Sequence, residues 1–253
     1  MLEGALNARD LGGIAAADGR AVRPGLLLRS GQLNGLTPAD FARLAAYPVR
    51  LVCDLRGEHE RAQAPSLWPV TPGLPTLLAP ERHSTSATRP GAWLERLQDP
   101  SFDAAAAREF MLQGYRGMPV AFAGVLRELF DALDADAAPV LVHCVAGKDR
   151  TGFVCAMLLW ALGASKQAIV VDYIASRAYA AQRQGTVFQD GGPMTPRAVQ
   201  ARAVLATVDA SFLGAAWAEI ERTHATVDAY LIEVARLDPA RRERLRDRFL
   251  SAP

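Results

Sequence analysis

The chain has 253 residues, 50% of them apolar and 22% charged, which suits one large globular domain, or one domain with a sizeable insertion, and excludes a disordered or fibrous protein. Its formal net charge of +1 supplies no broad field for a nucleic acid or an anionic membrane, so any preference for an anion must come from local groups. The three cysteines, Cys53, Cys144 and Cys155, have no paired spacing, which argues against a disulfide framework and suits a reducing compartment.

In chain order, Met1-Leu2-Glu3-Gly4-Ala5 has no basic segment followed by an apolar stretch, so no signal peptide is expected and the location expected is cytoplasmic. A first strand is predicted over 26–29. Thr37-Pro38-Ala39-Asp40 then opens a helix through 47, with Thr as N-cap, Pro at the first helical position and an acid in the first turn. Strands follow over 49–55 and 76–79. Apolar residues at helical spacing (Phe122, Val125, Leu126, Leu129, Phe130, Leu133) predict a helix over 120–133 that packs on the sheet. A fourth strand over 139–143 leads into a segment, 151–163, that is apolar on nearly every side and ends at Gly163. It reads as a helix buried behind the sheet, and its apolar run is far shorter than the ~20 residues that cross a bilayer, so no stable membrane insertion is expected.

Beyond it, helices are predicted over 167–179, 196–208 and 215–237, with a turn-rich stretch over 185–196 and a last charged helix capped by Asp238-Pro239. This alternation predicts an α/β fold, a central, mostly parallel sheet flanked by helices, in a single domain spanning 1–253. Residues 164–214 are expected to form a helical insertion or lid after the buried helix, without a domain boundary.

The chemistry is concentrated at the junction of strand 139–143 and the buried helix, in His143-Cys144-Val145-Ala146-Gly147-Lys148-Asp149-Arg150-Thr151-Gly152. A loop there has free backbone N–H groups, because the first turn of a helix leaves its donors unpaired. Curled around one point, the amides from Val145 to Arg150 form a nest for an anion, reinforced by the helix dipole. Gly147 allows the tight turn and the close approach. The same field favours the thiolate of Cys144 at the base. Arg150, on the opposite rim, can hold two phosphate oxygens at once, which a lysine cannot copy. Thr151 is expected to donate a hydroxyl hydrogen bond to the sulfur. These groups predict attack of Cys144 on phosphorus and hydrolysis of a phosphocysteine intermediate by water, with Arg150 and the nest stabilising the charge of both steps.

Other motifs fit less well. A nucleotide-binding Walker loop ending in Gly147-Lys148 needs Gly at 142 and Ser or Thr at 149, where this chain has Val142 and Asp149. A rhodanese-like sulfur transferase also uses a Cys-based loop, but Lys148-Asp149-Arg150-Thr151-Gly152 favours phosphate. A phospho-binding pseudophosphatase with little turnover is the runner-up, and it would be expected to have lost the Cys or the Arg.

At these residues the chain resembles the protein tyrosine phosphatase superfamily, and more narrowly the bacterial tyrosine/lipid phosphatases whose loop reads His-Cys-x-Ala-Gly-Lys-Asp-Arg-Thr-Gly. Asn7-x-Arg9-Asp10-Leu11-Gly12-Gly13, Arg29-Ser30, Asp54-Leu55-Arg56 followed by Glu60, Tyr115-Arg116, Asp172-Tyr173 and Val227-Asp228-Ala229-Tyr230-Leu231 also resemble that subfamily, in order. The resemblance implies a single α/β domain, no metal or other cofactor, and phosphotyrosyl protein or phosphoinositide as substrate. Lys148 would then add positive charge beside a polyanionic headgroup. Many superfamily members carry their general acid in a Trp-Pro-Asp loop, whereas here the nearest string is Trp68-Pro69-Val70. The acid is therefore sought among Asp149, Asp54 and Glu81, with Asp149 favoured because it lies in the loop itself.

The other candidates have plain readings. His143 is expected to hydrogen-bond loop backbone and hold its shape, and as consecutive strand residues His143 and Cys144 face opposite ways, which disfavours a shared metal. His59, His83 and His224 are scattered. Cys155 reads as a small buried hydrophobe, and so does Cys53, whose alternative is a reversible disulfide with Cys144. Asp54-Leu55-Arg56 reads either as an ion-pair latch under the site or as part of its rim. The mixed charges of 241–248 read as a solvated helix face, with no nucleic-acid role. The sequence carries no signal for oligomeric state.

Overall fold

Three strands buried along their whole length, β2 (Leu27–Ser30), β3 (Leu51–Asp54) and β5 (Val140–His143), form the centre of the sheet in the computed structural model, which describes residues 2–67, 76–78, 92–179 and 195–252. With β1 (Arg9–Asp10) and β4 (Thr76–Leu78) the order is β1-β2-β5-β3-β4. Only β1 is antiparallel to its neighbour, so the sheet is mostly parallel, as predicted. Continuous burial is what a parallel sheet covered on both faces requires. Register aligns Ser30 with His143 on one side and Asp54 with His143 on the other. The carboxyl ends of β2, β5 and β3 therefore lie level at one edge, the usual place for a ligand in an open α/β sheet.

Alternation along the strands divides the core. Leu27, Leu51, Cys53, Val140 and Val142 face the larger apolar cluster, while Leu28, Val52 and Leu141 face a smaller one completed by Leu33, Leu36, Leu44 and Val49. The smaller face is covered by α1 (Pro38–Ala45), whose Thr37–Asp40 capping box is present. Asp40 also accepts from the amides of Glu3 and Gly4, at 2.7 and 2.8 Å, and so ties down the N-terminal segment. A short helix, α2 (Glu58–Gln63), follows β3, and α3 (Ala92–Leu97) precedes the long α4 (Ala104–Ala121).

The larger face is built on α6 (Asp149–Ala161), buried on almost every side between the sheet and later helices. Gly163, with φ +88°, ends it by letting Ala164 N–H reach back to Leu159 O at 2.9 Å. Around it pack α7 (Lys166–Ala175), α9 (Ala210–His224) and α10 (Val227–Ala235), while α4 packs against α8 (Pro196–Ala206) and α9. The last helix, α11 (Pro239–Phe249), packs on α5 (Ala123–Asp134).

Two predicted helices differ in the structure. The segment 120–133 is divided at Phe122, so Val120 and Ala121 end α4 and the rest is α5. The segment 215–237 is divided by Ala225, at φ 64°, and Thr226, whose side chain accepts from Ala229 N and caps α10. An N-cap inside an apolar pattern is a stop signal that the periodicity overrides when read alone. Glu81, His83, Trp68-Pro69-Val70 and Gly191-Gly192-Pro193 lie outside the described residues.

Candidate active site

Cys144 leaves the central strand at the level where Ser30 and Asp54 end the strands beside it, and α6 begins five residues later at Asp149. The intervening loop is held from outside by its carbonyls. Val145 O accepts from Gln32 N at 3.0 Å. Gly147 O accepts from Asn7 Nδ2 at 2.5 Å and Arg29 Nη2 at 2.7 Å. In a planar trans peptide the next N–H points opposite to the C=O, so Ala146 and Lys148 aim their amides away from these anchors. Among the described residues, none of the amides from Ala146 to Arg150 donates a hydrogen bond to the protein. Gly147 is required at its position: φ is 65°, and a Cβ there would stand 2.5 Å from Ser30 C and O. The chain thus forms, at the N-terminus of α6, a curl of unpaired donors with the buried sulfur of Cys144 at its base.

Arg150 is fixed by a residue that motif reading left without a role. Glu60 in α2 accepts both of its terminal nitrogens, at 2.6 and 2.8 Å, and Leu55 O takes a third bond at 3.1 Å. Burial works against the Arg150 charge, but Glu60 and the nearby Cys144 more than offset it, so the guanidinium pKa is raised. Burial likewise pushes Glu60 up, and Arg150 more than cancels that, holding the carboxylate below its usual range.

Asp54-Leu55-Arg56 is the latch of the two alternatives. Arg56 spans the Asp54 carboxylate with Nε–Oδ1 at 2.9 Å and Nη2–Oδ2 at 2.7 Å, and it also donates to Ala64 O and Ser66 Oγ. Against the upward push of burial, Arg56 and His143 hold the Asp54 carboxyl below its ordinary range. His143 is fully buried, with Nδ1 3.4 Å from Cys144 O and Nε2 3.6 Å from Asp54 Oδ2. Burial is the main cause that drops its pKa to about 4, opposed by Asp54, so the imidazole is neutral at physiological pH.

Asp149 opens α6, and its Oδ1 accepts from Tyr115 Oη at 2.7 Å; Tyr115 in turn meets Tyr173 Oη at 2.6 Å. Lys148 differs from expectation. Its Nζ donates to Leu205 O and Thr207 O at the end of α8, at 2.8 and 3.0 Å, and lies 3.4 Å from Asp149 Oδ2. The ammonium is spent on helix C-terminal carbonyls, where a cation is favoured, rather than presented to solvent beside the loop. Thr151 Oγ1 is buried and has no hydrogen-bond partner among the described residues, so the expected bond to Cys144 Sγ is not made in this arrangement. Cys53 and Cys155 are buried free thiols, with burial pushing Cys155 up to about 12 and Cys53 higher still.

A family model described as the tyrosine phosphatase family matches residues 1–251. The chain belongs to the tyrosine phosphatase family. A tyrosine-protein phosphatase of Cupriavidus necator is 33% identical over 97% of this chain and 86% of its own length. The triple specificity protein phosphatase PtpB of Mycobacterium tuberculosis is 32% identical, with 91% of each chain covered. Among solved structures, TpbA of P. aeruginosa matches at 22% identity over 79% of this chain and 89% of that one; its TM-score of 0.34 is too loose to transfer any detail. The protein is therefore a phosphatase, and its substrates are phosphorylated.

The residues that sequence reading missed in this phosphatase are the ones that hold others: Glu60, Asn7, Arg29, Tyr115 and Asp172. Each sat inside a string that resembles the family, but nothing local tells which loop residue it grips. That follows from the sheet order.

Proposed function

We propose that the enzyme hydrolyses phosphomonoesters of phosphotyrosyl proteins, of phosphoinositides or of both, through a phosphocysteine intermediate on Cys144. The observation that carries this reading is the nest: amides from Ala146 to Arg150 with no acceptor among the described residues, curled over a buried cysteine, with Arg150 fixed at the rim by Glu60. The Cys144 thiolate attacks phosphorus as the bond to the leaving oxygen breaks, and Asp149 gives that oxygen its proton. Water then attacks the phosphocysteine with Asp149 accepting a proton, the S–P bond breaks, and inorganic phosphate leaves. The amides and the Arg150 fork carry the charge that builds on the equatorial oxygens in both steps. Thr151, with its hydroxyl buried and uncommitted, is available to the sulfur as it departs in the second step.

Among the described acids, Asp149 is favoured over Asp54 because Arg56 and His143 occupy the latter. The breadth of substrate is supported by the relative from M. tuberculosis, which is named a triple specificity phosphatase. Three free, buried cysteines suit a reducing, cytoplasmic setting. Of residues 164–214, the described parts 164–179 and 195–214 are read as a helical cap, a reading supported by the tie of Lys148 Nζ to Leu205 O and Thr207 O.

The test is Cys144→Ser with a generic aryl phosphate. Turnover should fall below about a hundredth of wild type, since a hydroxyl lacks the thiolate's nucleophilicity, while phosphate analogues still bind. Wild-type activity should be blocked by vanadate and indifferent to EDTA. A turnover that survives the substitution, or one that needs a divalent metal, would overturn the mechanism.

A further inference from the structure

Below the loop lies a buried polar cluster that the reaction does not use directly. Arg29 at the end of β2 is fully buried, and Asn7 and Ser176 are nearly so. Asp172 on α7 receives Arg29 Nη1 at 2.5 Å on one oxygen and Arg9 Nε at 2.8 Å on the other. Arg9 also donates to the Asn7 side-chain oxygen, which fixes the amide so that Asn7 Nδ2 faces the loop. Two guanidinium groups share one carboxylate, an arrangement that burial alone disfavours. A plain staple between β1, β2 and α7 would balance those charges and close its hydrogen bonds on itself. This cluster instead sends two donors, Asn7 Nδ2 at 2.5 Å and Arg29 Nη2 at 2.7 Å, to one acceptor in the loop, Gly147 O.

We infer that Asn7 and Arg29, braced by Arg9, Asp172 and Ser176, are positioning residues that hold the Gly147–Lys148 peptide with its oxygen outward and its N–H in the phosphate nest. A carbonyl oxygen has two lone pairs, and both are filled here. This peptide turns about Gly147 ψ, which the missing Cβ leaves less restricted than in any other residue, and about Lys148 φ, which is −107° here. Rotated, it would present its oxygen, not its N–H, to an incoming phosphate. One donor would be lost and one repulsive dipole gained, at the place where transition-state charge develops. The cluster removes that alternative from outside the nest, without touching the substrate.

This inference rests on the reading of 144–150 as a phosphate nest, and the experiment separates the two. Asn7→Asp keeps the size and the acceptor for Arg9 but sets a second oxygen against Gly147 O. It also adds the negative charge the cluster lacks, so a merely structural cluster should accept it. Arg29→Lys keeps the charge and loses the fork that reaches Asp172 and Gly147 O together. The measurements are kcat, KM, the vanadate inhibition constant and the thermal midpoint of each protein. The expected result is a fall in kcat/KM of about 10- to 100-fold, matched by an equal rise in the vanadate constant, in proteins that still melt cooperatively. If either variant fails to fold, Asn7→Gly, which tolerates the positive φ of 59° and deletes only the side chain, takes its place. If vanadate inhibits wild type and variants alike, the inference is wrong while the nest reading stands. If vanadate does not inhibit the wild type, the nest reading falls, and this inference with it.

Discussion

Lowering the pH should destabilise this protein in a window set by one buried imidazole. His143 has no exposure, and its pKa is lowered from 6.5 to about 4, by burial first, with Asp54 opposing and Arg56 and Arg150 assisting. In the unfolded chain the same ring titrates near ~6.5. Between these values the unfolded state binds the proton and the folded state does not, so stability rises with pH and is lost as pH falls from about 6.5 towards 4. The loss amounts to about 2 kcal/mol on going from pH 7 to pH 5, and about 3 kcal/mol by pH 4, where it levels off. For a chain of this size 2 kcal/mol is about 4–8 °C in the melting midpoint. Asp54 and Glu60, both held low, act in the same direction but at more acid pH, as pH falls below their ordinary carboxylate range. The assay is a set of melts from pH 5 to 7 on wild type and His143→Asn. The variant's midpoint should change less across that range, by the stated few degrees. Parallel curves would refute the argument that His143 is held neutral by its surroundings.

Glu60→Gln should release one side of the Arg150 fork and lower kcat about 10- to 100-fold, more than it raises KM, because a guanidinium displaced by about 1 Å no longer meets the transition state. A change in KM alone would mean that Glu60 does not position Arg150. Asp149→Asn should slow phosphotyrosine hydrolysis by about 10²–10⁴-fold while sparing an aryl phosphate whose leaving group needs no proton. Equal losses on both would make Asp149 a brace held by Tyr115 rather than the acid. Lys148→Met should cost about 1–2 kcal/mol of stability through the freed carbonyls of Leu205 and Thr207, and should affect phosphotyrosine and phosphoinositide substrates equally. A loss confined to phosphoinositides would show that the ammonium leaves α8 to meet the headgroup.

What the sequence determined by itself is the part of the site built from neighbours in the chain. A buried strand, a glycine turn and the open first turn of a helix make an anion nest out of consecutive amides, and 139–152 contains all of it. The Thr37–Asp40 cap, the parallel strands and the buried α6 are legible for the same reason, since caps and periodicity act over a few residues. Tertiary structure decided what grips the loop. Glu60 meets Arg150 across 90 residues and Asn7 meets Gly147 across 140, contacts that exist only because β2 and β3 flank β5 with their ends level. Lys148 shows the limit most clearly. Its position in the motif suggested a charge for the substrate, yet a flexible ammonium turns to the acceptors the fold sets beside it, and here these are the carbonyls at the end of α8 together with the Asp149 carboxylate.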